Sequence, residues 1–167
     1  YEDRKYTWSQ VYKRTVKFAS ALNKIGVSKG DTVSFLAFNT PEIFEGHYSV
    51  PMTGAVLNTI NIRLDAKTIA YILEHSEAKV LVVDRQLHVE VKKALNTLKR
   101  KIIIIDINDK FADQSKCEKI GELEYESFLN TGDENYNWEM PEDEWQALSL
   151  SYTSGTTGNP KGVVYHH

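Results

Sequence analysis

Residues 152–167 read Tyr-Thr-Ser-Gly-Thr-Thr-Gly-Asn-Pro-Lys-Gly-Val-Val-Tyr-His-His, and from Thr153 to Gly158 every side chain is Thr, Ser or Gly. Lys161 follows three positions later. Such a stretch offers closely spaced backbone N–H groups, the hydroxyls of Thr153, Ser154, Thr156 and Thr157, and one cation, a set that suits a polyphosphate. Gly155, Gly158 and Gly162 let the main chain bend toward an anion without interference from a Cβ, and successive N–H groups in a turn form an anion-binding nest. The commoner phosphate loop, G-x-x-x-x-G-K-[ST], is excluded. Counting on from Gly155, Pro160 stands at its second glycine, and Gly162 rather than Ser or Thr follows Lys161. A hairpin turn with an exposed lysine is the plain alternative. The run of small residues, Pro160 and Lys161 in that order favours the anion site.

The pattern Tyr-Thr-Ser-Gly-Thr-Thr-Gly-x-Pro-Lys-Gly-Val resembles the phosphate loop of the adenylate-forming superfamily: acyl-CoA synthetases, luciferases and the adenylation domains of peptide synthetases. Upstream, Lys5-Tyr-Thr-Trp-Ser-Gln-Val-Tyr12 is similar to the opening of these enzymes. Asn39-Thr-Pro-Glu42 and the stretch from Pro51 to Leu64 resemble a second family segment. The wording is most similar to medium-chain and plant-type acyl-activating enzymes and to methylmercaptopropionate-CoA ligases, and the matches run from about Tyr6 to His167.

The resemblance implies an α/β fold, the N-terminal part of the family's large domain, with a mixed, mostly parallel sheet flanked by helices and left incomplete at residue 167. Residues 1–167 are then a partial AMP-binding domain whose C-terminal partner domain lies outside them. The implied chemistry is acid activation. A carboxylate attacks the α-phosphate of ATP to give an acyl-adenylate and pyrophosphate, and coenzyme A then displaces AMP to give a thioester. Such a reaction needs charge neutralisation and in-line positioning rather than a protein nucleophile. Thr153, Ser154, Gly155, Thr156, Thr157, Gly158 and Lys161 would hold the β- and γ-phosphates, with Lys161 neutralising charge. Mg2+ would sit mainly on the phosphates. His167, five residues beyond Gly162, takes a substrate-side role by the same resemblance. Two other readings stay open: transfer of the acyl group to a carrier protein or to oxygen, and a non-catalytic phosphate-binding module.

The composition bounds the remaining choices. At 167 residues, with 41% hydrophobic and 26% charged side chains, the chain can build a sizeable core and does not read as disordered. A net charge of −3 supplies no basic field for nucleic acid. The single cysteine, Cys117, cannot make an internal disulfide. No apolar run approaches a bilayer span, and no signal-peptide pattern is present. A cytoplasmic protein is therefore expected, and the family resemblance implies a place in fatty-acid or related acid metabolism. The chain begins at Tyr1 rather than Met, already close to an element, and is read as a piece of a longer enzyme, inactive and poorly soluble by itself. The identity of the acid and the oligomeric state are not legible.

The loop must be held by a frame, and the periodicities supply one. Ser9 is expected to cap a helix from Gln10 to Ile25, with Tyr12, Val16, Ala19, Leu22 and Ile25 as its apolar stripe and Gly26 as its stop. Thr32–Phe38 reads as a buried strand. Thr40-Pro41 opens a second helix, packing through Ile43, Phe44, His47, Tyr48 and Val50. A short strand over Ala55–Ile60 is followed by a helix capped by Asp65. Lys79–Asp84 and Lys101–Asp106, with a helical stretch between them, form a strand–helix–strand unit. Residues 107–145 read as a solvated acidic loop carrying a short helix near Tyr125–Leu129, not as a metal site. Ala147–Thr153 and Val163–Tyr165 are strands, so the glycine-rich loop joins two strands rather than opening a helix. His47 and His75 read as structural or surface groups, and His88 as exposed beside Glu90. Asn58, Thr59 and Asn61 read as satisfying local backbone groups.

Overall fold

The computed structural model describes residues 1–153 and 158–167. The expectations for Ser154, Gly155, Thr156 and Thr157 lie outside those residues. Five strands run parallel in chain order: β1 (Thr32–Leu36), β2 (Val56–Thr59), β3 (Ala78–Asp84), β4 (Ile103–Ile107) and the two-residue β5 (Leu123–Glu124). β6 (Ala147–Thr153) continues them in parallel beside β2, and β7 (Lys161–His166) turns back antiparallel. The seven-stranded order is β5-β4-β3-β1-β2-β6-β7. The mixed, mostly parallel sheet is the expected one.

Helices cover both faces, as parallel strands require. α1 (Trp8–Lys24), α2 (Pro41–Ser49) and α5 (Tyr125–Leu129) lie on one face, and α3 (Ala66–His75) and α4 (His88–Leu95) on the other. The side-chain alternation of the strands divides the core accordingly. Val33, Phe35, Val80, Val82 and Ile105 meet Phe18, Leu22, Tyr125 and Phe128, while Leu36, Leu81 and Val83 meet Ile69, Ile72, Leu73 and Val91. Phe18 stacks on Tyr125 with ring centroids 4.6 Å apart, which ties α5 to α1 across a long stretch of sequence.

Two local expectations fail for identifiable reasons. The cap of α1 is Thr7, not Ser9: Thr7 accepts from the Gln10 N–H while the Gln10 side chain accepts from the Thr7 N–H, a reciprocal capping box. Ser9 has no such partner three residues on and lies inside the first turn. The buried face also shifts, so that Tyr12 is exposed and Thr15 and Phe18 point inward.

The larger correction concerns α2. Phe44, His47 and Tyr48, expected to face the core, are exposed, and Glu42, Glu45, Gly46 and Ser49 are buried. The inward carboxylates are matched. Glu45 accepts from Arg14 Nε at 2.5 Å and Nη2 at 3.2 Å and from the Tyr125 hydroxyl at 2.8 Å. Glu42 accepts from Arg4 at 2.6 Å. Gly46 lets the helix sit on Phe35, where an added Cβ would come within 2.5 Å of Cζ. Charge pairing and close backbone approach therefore override the hydrophobicity pattern.

His88 is half-buried rather than exposed beside Glu90: its Nδ1 lies 3.1 Å from the Arg85 carbonyl and its Nε2 3.6 Å from Glu118. The two-residue β5 falls in the stretch expected to be loop, while the Asp65 cap of α3, the short α5 and the strands β6 and β7 on either side of the glycine-rich run fall where expected. Among the described residues, no helix is long and apolar enough to cross a membrane.

Candidate active site

The frame around the glycine-rich loop is set by strand pairing. β6 lies parallel to β2 with Thr59 beside Ser151, so residue 153 ends β6 on the side where the parallel strands present their carboxyl ends. Ligands of open α/β sheets bind outside those ends. β7 returns antiparallel, pairing Tyr152 with Gly162 and Thr153 with Lys161. Thr153 and Lys161 are thus brought directly across from each other, and residues 154–160 span the gap. Thr153, Gly158 and Lys161 are all exposed. A cation and a hydroxyl set side by side at the end of an antiparallel pair can both reach one anion.

His167 is not brought to this group. It follows the far end of β7, where His166 pairs with Ala147, roughly 20 Å from Lys161 at the usual strand rise. There it borders a groove with Pro51–Gly54, Tyr136, Asn137 and Glu139–Glu142.

Residues behind the loop were less legible. His75, at the end of α3, has Nδ1 2.7 Å from the Tyr152 hydroxyl, and its ring stacks on Tyr71 at 5.3 Å. Burial and the neighbouring Tyr71 raise the Tyr152 pKa, so the phenol stays protonated at neutral pH. The aromatic i, i+4 pair Tyr71 and His75 is a signal the sequence did contain. Asn58 is fully buried and donates to the Ser34 hydroxyl at 2.9 Å and, at 3.5 Å, to Ser76. It therefore bonds side chains rather than the local backbone expected for it. Asn61 does satisfy a backbone group, accepting from the Arg63 N–H at 2.9 Å.

A mostly parallel sheet flanked by helices on both faces, with the Thr/Ser/Gly run and its lysine joining one strand to the next rather than opening a helix, defines an α/β domain distinct from the Walker type. The family model for AMP-binding enzyme matches residues 1–167, and the chain belongs to that family. A peroxisomal acetate/butyrate–CoA ligase of Arabidopsis thaliana is 45% identical over 98% of this chain and 31% of its own length. A peroxisomal trans-cinnamate:CoA ligase of Petunia hybrida is 44% identical over 100% of this chain and 32% of its own. Among solved structures, an anthranilate CoA ligase in complex with anthranoyl-AMP superposes with a TM-score of 0.86 at 25% identity, covering 98% of this chain and 30% of that one. The chain therefore spans less than a third of the length of these relatives.

Proposed function

We propose that the whole protein is an AMP-forming acid–thiol ligase that activates a carboxylic acid with ATP and passes the acyl group to coenzyme A. The observation that carries this reading is the 44–45% identity, across essentially all of residues 1–167, to enzymes whose names are CoA ligases. That identity also favours coenzyme A over a carrier protein or oxygen as acceptor. A purely phosphate-binding module finds no counterpart among these relatives.

In this reading residues 1–167 are part of the N-terminal AMP-binding domain, and a C-terminal domain lies beyond them. Thr153, Ser154, Gly155, Thr156, Thr157, Gly158 and Lys161 cradle the β- and γ-phosphates. Lys161 offsets the charge that develops as the carboxylate oxygen attacks and the α–β phosphate bond breaks. The register that sets Lys161 across from Thr153 supports this assignment. Among the described residues, no group of three or more His, Cys, Asp or Glu is arranged to hold a metal. In the proposed reading Mg2+ would be carried chiefly by the nucleotide's own phosphates. The resemblance alone gives His167 an acid-side role, which its position past the far end of β7 does not support; an altered acid preference with unchanged ATP affinity in His167→Ala would bear the role out.

The acid class follows the relatives only broadly: short aliphatic acids and cinnamate are named for two of them. The expectation of fatty-acid metabolism is kept in that sense. The cytoplasmic expectation has less support, since both plant relatives are described as peroxisomal, and localising a tagged full-length protein decides it. The test of function is product analysis of the full-length protein with ATP, coenzyme A and a panel of acids. AMP and pyrophosphate released only with acid are expected, and ADP and phosphate would overturn the reading.

A further inference from the structure

The two strand ends that flank the loop are tied to the helical layer at one point. Tyr152, the residue before Thr153, pairs across the strands with Gly162, the residue after Lys161. The glycine leaves room for its neighbours: a Cβ there would come within 3.0 Å of Leu150 Cδ1 and 3.5 Å of Tyr152 Cζ. The Tyr152 ring thus lies against the start of β7, while its hydroxyl reaches the end of α3 and meets His75 Nδ1 at 2.7 Å. The two rings meet edge to face at 5.7 Å, and Tyr71 stacks on His75 at 5.3 Å. A single side chain on β6 therefore touches α3 and β7 beside the residues that open and close the loop. Among the described residues β7 is the last strand of the sheet on that side. Cross-strand pairing with β6 and this clasp are what hold the Lys161 end in register.

We propose that His75 and Tyr152 are positioning residues for the nucleotide loop, acting through their hydrogen bond to fix where Thr153 and Lys161 present their donors to the phosphates. The inference rests on the loop being the ATP site. Neither residue touches the nucleotide in this account. Their loss weakens ATP binding by letting the loop mouth wander rather than by removing a phosphate contact.

The test uses the full-length protein, with direct binding of MgATP and unfolding temperature measured side by side. Tyr152→Phe removes only the hydroxyl, and His75→Ala removes the imidazole it is bonded to. Each is expected to weaken MgATP binding about three- to tenfold, the range set by one hydrogen bond. The double variant should be no weaker than the worse single one, because both act on the same bond. His75→Asn, whose Oδ1 can stand near the place of Nδ1, should recover most of the affinity. Unchanged MgATP binding in both single variants, additive losses in the double, or losses matched only by a lower unfolding temperature would overturn the proposal. A wild-type protein that binds no MgATP would instead overturn the functional reading on which it rests.

Discussion

Lys161 is the cross-strand partner of Thr153, so the first hydroxyl of the glycine-rich loop and its only lysine face each other at the loop's mouth. In sequence they are separated by a run that no periodicity describes. In the fold, their placement follows from two ordinary strands. β6 is held in the sheet by β2, and β7 folds back on β6 through the loop itself. The chemistry therefore depends on the frame, and several consequences for the frame can be measured.

Arg14 connects three elements. It is bonded to Glu45 of α2 through Nε and Nη2 and to Glu126 of α5 through Nη1 at 2.9 Å and Nη2 at 2.5 Å. Glu45 is only 1% exposed at its side chain. Replacing Arg14 with leucine leaves that carboxylate buried with Tyr125 as its remaining donor, a loss expected to cost about 3–5 kcal/mol. Urea unfolding should show a fall in unfolding free energy of that size. Arg14→Lys should recover part of it, because one ammonium cannot serve both carboxylates in the forked geometry.

Gly46 is the point where α2 touches the sheet. A methyl group there would meet Phe35 Cζ at 2.5 Å and both Cε atoms at 2.9 Å. Gly46→Ala should therefore destabilise by about 1–3 kcal/mol despite alanine's better helix propensity. The double variant Gly46→Ala with Phe35→Leu should lose less than the sum of the two single changes, as contacting residues do. Thermal unfolding of the four proteins checks both statements.

Asp31 links the turn before β1 to β3. Burial disfavours its charge, but Lys79 Nζ at 2.8 Å and the Ser28 N–H and hydroxyl outweigh that and hold its pKa below the usual carboxylate value. A depressed pKa in the folded state means the added stability is present above the unfolded-state value of about 4. It is lost as pH falls through the lower folded value. Asp31→Asn should accordingly be less stable than wild type at neutral pH by about 1 kcal/mol, and the difference should shrink below about pH 4. Denaturant midpoints measured across that range provide the check.

Most of the frame was legible because strands and amphipathic helices follow hydrophobic periodicity. Lys79–Asp84 and Lys101–Asp106 announced a parallel pair, and Asp65 announced a helix start. The face of α2 was not legible, because its buried side carries Glu42 and Glu45, whose partners Arg4 and Arg14 lie far away in sequence. β5 was missed because two residues carry no period. For the candidate site, the loop and its lysine could be picked out by residue type and order. The link from Tyr152 to His75 could not, because it joins residues separated by 77 positions and looks like nothing in either neighbourhood.

The most direct test of the functional account is acid-dependent pyrophosphate release by the full-length protein, comparing wild type with Lys161→Ala. If Lys161 neutralises the phosphates, the variant should release pyrophosphate at least about a hundredfold more slowly, the loss typical when one stabiliser of transition-state charge is removed. Its unfolding temperature should be unchanged, since Lys161 is exposed. An unchanged rate of pyrophosphate release would contradict the assignment of this loop as the ATP site.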